Sequence, residues 1–182
     1  LMWSAWAGGA HQLYYDRGIL TYQLSGAGVD AVAALSTPLL AVAVGLILAL
    51  GVVSAVRGAS AAPLFAWVSL ALTVALILFN KVGSPQFVGW LAVPVILGLI
   101  TTHSRGVRGF RGVAALALLI GVLTHAFYPH GYGALLSLDT VMLAALTARN
   151  ILYAVLFVWA MVALCSTVLR RGQAQNELAT ES

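Results

Sequence analysis

Five apolar runs of bilayer length follow one another after residue 35, the first four separated by short interruptions and the fifth by the longer stretch from Pro129 to Asn150. They cover Ser36–Val56, Pro63–Phe79, Phe87–Thr102, Val113–Tyr128 and Ile151–Leu169. Some fall short of the roughly 20 residues that a perpendicular helix needs, and interfacial residues at their ends complete the span. None shows the two-residue alternation of a barrel strand, and unpaired backbone is too costly to expose to hydrocarbon. The pattern therefore predicts an all-α, polytopic membrane helical bundle with about five transmembrane helices.

The remaining residues fall at the two ends. Residues 1–35 carry Trp3, Trp6, Tyr14, Tyr15 and Tyr22 among polar positions. Such rings favour the membrane interface, where the body is buried and the polar tip stays wet. The segment is read as an external interfacial element, re-entrant or surface-lying, joined to the end of a preceding helix and loop. Residues 36–169 form the transmembrane domain, and 170–182 a polar cytoplasmic tail expected to be disordered. The chain opens without an initiator Met, a basic n-region or a long h-region, so further sequence is expected before Leu1.

Composition agrees with lipid as the solvent. Hydrophobic residues make up 62% and charged residues 8% of the 182 positions, too few charges to dress a water-exposed surface. The lone cysteine, Cys165, lies in an apolar run and supports neither a disulfide nor a metal cluster. The net charge of +4 has meaning only through its distribution. Arg57, Arg105, Arg108, Arg111, Arg170 and Arg171 all fall on one side if every run is a crossing. The positive-inside rule makes that side cytoplasmic. Membrane orientation thus accounts for these arginines, and no nucleic-acid partner is implied.

Three polar clusters fall on the opposite, external side. The first is HQLYYDRGILTYQ, with His11, Tyr14, Tyr15, Asp16, Arg17 and Gln23. Histidine relays protons near neutral pH, aspartate accepts them and arginine holds phosphate. The second is NKVGSPQF, where Asn80, Lys81, Ser84 and Gln86 place polar groups at the bilayer boundary and Pro85 opens a new helix. The third joins Tyr128, Pro129, His130 and Tyr132 to Arg149 and Asn150 at the next run. Each cluster also has a plain reading as an interfacial anchor or a snorkelling side chain. Their common sidedness allows one pocket with aromatic walls for a sugar and cations for a phosphate.

No metal site is assigned. His11, His103, His125 and His130 make no close ligand pair, and Asp16 and Asp139 are isolated carboxylates. Mg²⁺ or Mn²⁺ around a phosphate is left open, and no cofactor is firmly implied.

The order YYDRG, NKVGSPQFVGWLAVP, YPHGY and ARN resembles the carboxy-terminal half of bacterial, especially actinobacterial, GT-C glycosyltransferases. The similarity is to the polyprenol-phosphate-mannose-dependent type, near family 87. Lys81, Ser84, Pro85, Gln86, Trp90 and Pro94 carry its most specific part, and it extends over roughly residues 10–165. It implies a multi-pass enzyme of the bacterial plasma membrane with its active side external. That enzyme transfers a sugar, commonly mannose, with inversion from polyprenyl phosphate to a glycolipid or envelope glycan acceptor. By motif, His11, Tyr15, Asp16 and Arg17 fall to the sugar or acceptor side. Lys81, Ser84 and Gln86 fall at the donor-cavity edge, with Trp90 against the donor chain or in a helix seam. Tyr128, His130, Arg149 and Asn150 contribute to the same region. The family's general-base aspartate lies in its first external loop, for which this sequence has no counterpart. The base is therefore expected upstream of residue 1, on a missing amino-terminal half. The competing readings are a membrane transporter or lipid carrier, and a noncatalytic assembly subunit.

Overall fold

The computed structural model describes residues 12–18, 21–26, 28–81, 83–103 and 109–180. The side chains of 12, 21, 24, 102, 103, 109 and 170–180 lie outside that description. A two-stranded hairpin, β1 (Gln12–Asp16) and β2 (Thr21–Ser25), precedes the helices. Then follow α1 (Val29–Val56), α2 (Ala61–Leu78), a 3₁₀ helix (Pro85–Leu91) and α3 (Ala92–His103). After them come α4 (Gly109–Phe127), the short α5 (Tyr132–Leu136) and α6 (Thr140–Thr180).

Among the described residues, four helical segments, Val29–Val56, Ala61–Leu78, Phe110–Phe127 and Thr140–Leu169, are long and apolar enough to cross a membrane. The chain is thus a multi-pass, all-α membrane bundle bearing one small hairpin. The third apolar run becomes the shorter helical segment Pro85–Thr101, its first part wound as 3₁₀ from Pro85. Proline suits that start, because its fixed φ is helical and the first N–H needs no partner.

Several boundaries differ from those read in the sequence. Within the aromatic segment, read as a re-entrant or surface-lying element, Gln12–Asp16 and Thr21–Ser25 pair as antiparallel strands with Tyr15 opposite Tyr22, an element that the sequence reading did not specify. Helix α1 begins at Val29 rather than Ser36, since VDAVAAL contains good helix formers and Pro38 is carried inside the helix. Helix α6 begins eleven residues before the apolar run at Ile151. Asp139 starts it by accepting hydrogen bonds from the Val141 and Met142 N–H groups at 3.0 and 3.1 Å, satisfying donors that a helix leaves unpaired. The same helix runs to Thr180, where a disordered tail was expected.

Helix α2 is the centre of the bundle. Ala66, Leu70, Ala71, Val74 and Ala75 are all buried, and the helix packs against α1, α3 and α6. Around them gather Ile47 of α1, Phe110, Val113 and Ile120 of α4, and Leu156, Ala160 and Leu164 of α6. In lipid, this packing rather than expulsion of water holds helices together, and small residues permit close approach. Gly98 shows how close: a methyl there would collide with the Phe110 ring, which itself lies tilted against Trp67 at 4.3 Å between centroids.

The two ends of the bundle are built differently. At one end, α1 closes on Gly58 (φ +74°), with the Ala59 N–H donating to the Ser54 carbonyl at 2.9 Å. There Arg57 Nη1 donates to the Val168 carbonyl at 3.1 Å, tying α1 to α6. At the other end, a second cluster of Phe127, Leu135 and Leu143 packs the α4–α5–α6 turns.

Candidate functional site

A cavity of about 260 Å³ opens at the second end. Its walls come from the end of α2 (Ile77, Leu78), the connection to the 3₁₀ helix (Asn80, Gly83, Ser84, Phe87) and α6 (Arg149, Asn150, Tyr153). Two sequence clusters some seventy positions apart thereby meet, because α2 and α6 pack side by side. The connection contributes through its backbone turn as well: the Phe87 N–H donates to the Ser84 carbonyl at 3.2 Å, which holds both residues at the rim.

Arg149 dominates the site. It is only 7% exposed, and its guanidinium lies 5.0 Å from the Phe127 ring centre and 5.7 Å from that of Tyr153. Nε and Nη2 donate to Asn150 Oδ1 at 3.2 and 2.9 Å. Among the described residues no carboxylate pairs with it. Two aromatic faces and one amide oxygen leave a full positive charge with donors to spare. A buried charge is costly unless it is paired and hydrogen-bonded. The guanidinium, the Ser84 hydroxyl and the amides of Asn80 and Asn150 surround the space as a site for an anion. They offer a cation no carboxylate, and no group of three or more His, Cys, Asp or Glu gathers among the described residues.

The other sequence candidates take different places. Lys81 and Gln86 are exposed beside the cavity without lining it. Trp90 is 47% exposed and stacks on Phe87 at 4.4 Å, so it fills no helix seam. Tyr15 meets Tyr22 edge-on, Tyr22 meets Tyr132, and Tyr132 meets Tyr128, forming a ladder from the hairpin to the start of α5. Burial, and then the phenols of Tyr22 and Tyr128, push the Tyr132 hydroxyl above its ordinary value of 10.0. His130 packs against His125. Asp16 accepts from the Gly18 N–H at 2.8 Å and from Gln23 Nε2 at 2.9 Å, which fixes it within the hairpin; Arg17 beside it is exposed. His11 lies outside the described residues.

Thus Ser84, Arg149 and Asn150 line one cavity, and the tyrosine ladder forms a separate group. Tyr153 and Phe127, which face the guanidinium, were not singled out in the sequence. The spacing of Tyr153, four residues after Arg149, was the available signal, since such residues share a helix face. Comparison with protein-family models, with curated proteins and with solved structures finds no match to this chain.

Proposed function

We propose that this chain forms the donor-binding part of a GT-C-like membrane glycosyltransferase that uses a polyprenyl-phosphate sugar, with mannose the sugar that the sequence resemblance favours. The observation that carries the reading is Arg149, a buried guanidinium without a carboxylate, lining a cavity with Ser84, Asn80 and Asn150. Phosphate suits this set because its oxygens accept several charge-assisted hydrogen bonds at once. A lipid-linked phosphate suits it further, because Phe87 on the cavity wall stacks on the outward-facing Trp90.

The proposed topology has five crossings, with Pro85–Thr101 as the third. At ordinary helical rises the 3₁₀ helix and α3 together reach roughly 30 Å, the thickness of a hydrocarbon core. Arg57 and Arg111 then belong to the cytoplasmic end of a bacterial plasma membrane, and the cavity to the external end.

In the proposed reaction an acceptor hydroxyl oxygen forms a bond to the anomeric carbon, and the bond from that carbon to the phosphate oxygen breaks with inversion. The hydroxyl proton passes to a carboxylate, and polyprenyl phosphate leaves with an added negative charge. Arg149 and Ser84 stabilise that charge as it develops. No described residue lining the cavity is a carboxylate, so the base is assigned elsewhere, as the resemblance implies. Asp16 and Arg17 are assigned to the acceptor side, with Tyr15, Tyr128 and His130.

The test is sugar transfer from polyprenyl phosphate in membranes containing the complete gene product. Arg149→Gln is expected to lower turnover at least tenfold, and Lys81→Ala less. Unchanged turnover in Arg149→Gln would end the assignment, and binding without any transfer would favour a lipid carrier.

A further inference from the structure

An apolar groove of about 860 Å³ lies toward the opposite end of the bundle, lined by Leu48, Gly51 and Ala55 of α1, Ala62 and Phe65 of α2, and Leu97 of α3, among others. Leu97 belongs to the same 3₁₀–α3 segment as Phe87, which lines the cavity at Arg149. Seven residues separate Leu97 from Trp90, two helical turns, so the two stand on the same side of the 3₁₀–α3 segment. Between them Val93 and Ile96 are exposed, at 72% and 56%. Above them Trp90 stacks on Phe87, which lines the anion cavity. An apolar track therefore runs from the polar cavity, past Trp90, Val93 and Ile96, into the groove.

We infer that this track and groove hold the hydrocarbon tail of the same ligand whose phosphate sits at Arg149, and that they select long polyprenyl chains over short ones. The inference rests on the phosphate reading above, and continuity with that cavity is what commits the groove to a tail rather than to a protein partner. From Phe87 to Leu97 the track alone spans on the order of 15–20 Å at helical rises. A two-isoprene chain ends before the groove begins, whereas a chain several times longer enters it. Each isoprene unit that leaves disordered lipid for a fixed apolar wall gains packing contacts.

The test is competition binding to the complete gene product in phosphatidylcholine nanodiscs, against radiolabelled eleven-isoprene monophosphate. Concentrations are expressed as mole fractions in the bilayer, so that simple partitioning cancels. The long monophosphate is expected to bind about tenfold or more tightly than geranyl phosphate, the two-isoprene compound. Ala55→Phe and Ala62→Phe fill the groove from exposed lining positions and are expected to erase that preference while leaving geranyl phosphate binding unchanged. Trp90→Ala, which interrupts the track, is expected to reduce the preference. Arg149→Gln is expected to weaken both ligands equally. Equal affinities for the two chain lengths, or a preference that survives both groove-filling variants, would overturn the tail inference while leaving the phosphate reading standing. Failure of either phosphate to bind the unaltered protein would overturn both.

Discussion

Replacing Arg149 with methionine separates a binding role from a structural one, because the two roles predict opposite changes. Methionine has a similar length and keeps an apolar filler between Phe127 and Tyr153. The substitution loses two cation–π contacts, each worth about 0.5–2 kcal/mol. It also loses the bonds to Asn150 Oδ1, and Asn150 is exposed, so water replaces the lost donors. Against these stands the desolvation of a guanidinium with no paired carboxylate, several kcal/mol for a buried ion. The free protein is therefore expected to lie within about 1 kcal/mol of its original stability or above it, since buried ions are often replaced at no loss by apolar residues of similar volume. Ligand affinity moves the other way: hydrogen bonds to a charged group contribute about 1.5–3 kcal/mol, which is roughly 10- to 150-fold in Kd. Reversible unfolding in mixed micelles and equilibrium binding of a polyprenyl monophosphate in nanodiscs measure the two sides. A loss above about 3 kcal/mol, the cost of breaking a buried pair, together with affinity unchanged within a factor of two, would refute the reasoning and make Arg149 a clamp between helices.

Three further expectations concern the frame around the cavity. Gly98→Ala drives a methyl into the Phe110 ring, which Trp67 prevents from yielding. A loss of about 1–3 kcal/mol or more is expected, partly recovered by Phe110→Leu in the same background; strictly additive losses would show that the two do not meet. Asp139→Ala removes the side chain that begins α6 and is expected to cost about 1 kcal/mol and to increase amide exchange at Val141 and Met142. Tyr132 favours its protonated form in the folded state, so its contribution is full below pH 10.0 and is lost as the pH rises through its raised folded value. Alkaline unfolding curves of the unaltered protein and Tyr132→Phe should therefore diverge above pH 10.0, and superimposable curves would remove Tyr132 from the account.

The helices were legible in the sequence because lipid restricts the backbone so severely that a run of apolar residues has few other structures to adopt. Their ends were less legible. Residues 140–150 fall outside the apolar run that begins at Ile151, yet the VMLAALTA stretch and the Asp139 cap extend α6 through them. That extension turns Arg149 inward. The hairpin was not specified for a different reason: aromatic composition places Tyr14, Tyr15 and Tyr22 at an interface without fixing a backbone, and the pairing of Tyr15 with Tyr22 is decided between two segments rather than along one. Sidedness brought Ser84, Arg149 and Asn150 under one expectation. The packing of α2 on α6 selects these three and leaves Lys81 and Gln86 at the surface, a choice that spacing along the chain does not express.

The bond from Arg57 to the Val168 carbonyl bears on how such a bundle is made. Its partners stand 111 positions apart, so while the chain emerges in order, the α1–α2 pair enters the bilayer well before its acceptor exists. During that interval the guanidinium at the end of α1 must remain with water or lipid phosphate, which holds that end at the membrane surface. Completion of α6 supplies the carbonyl and brings the first and last long helices together. The same arginine thus fastens the bundle only once its last long helix is complete.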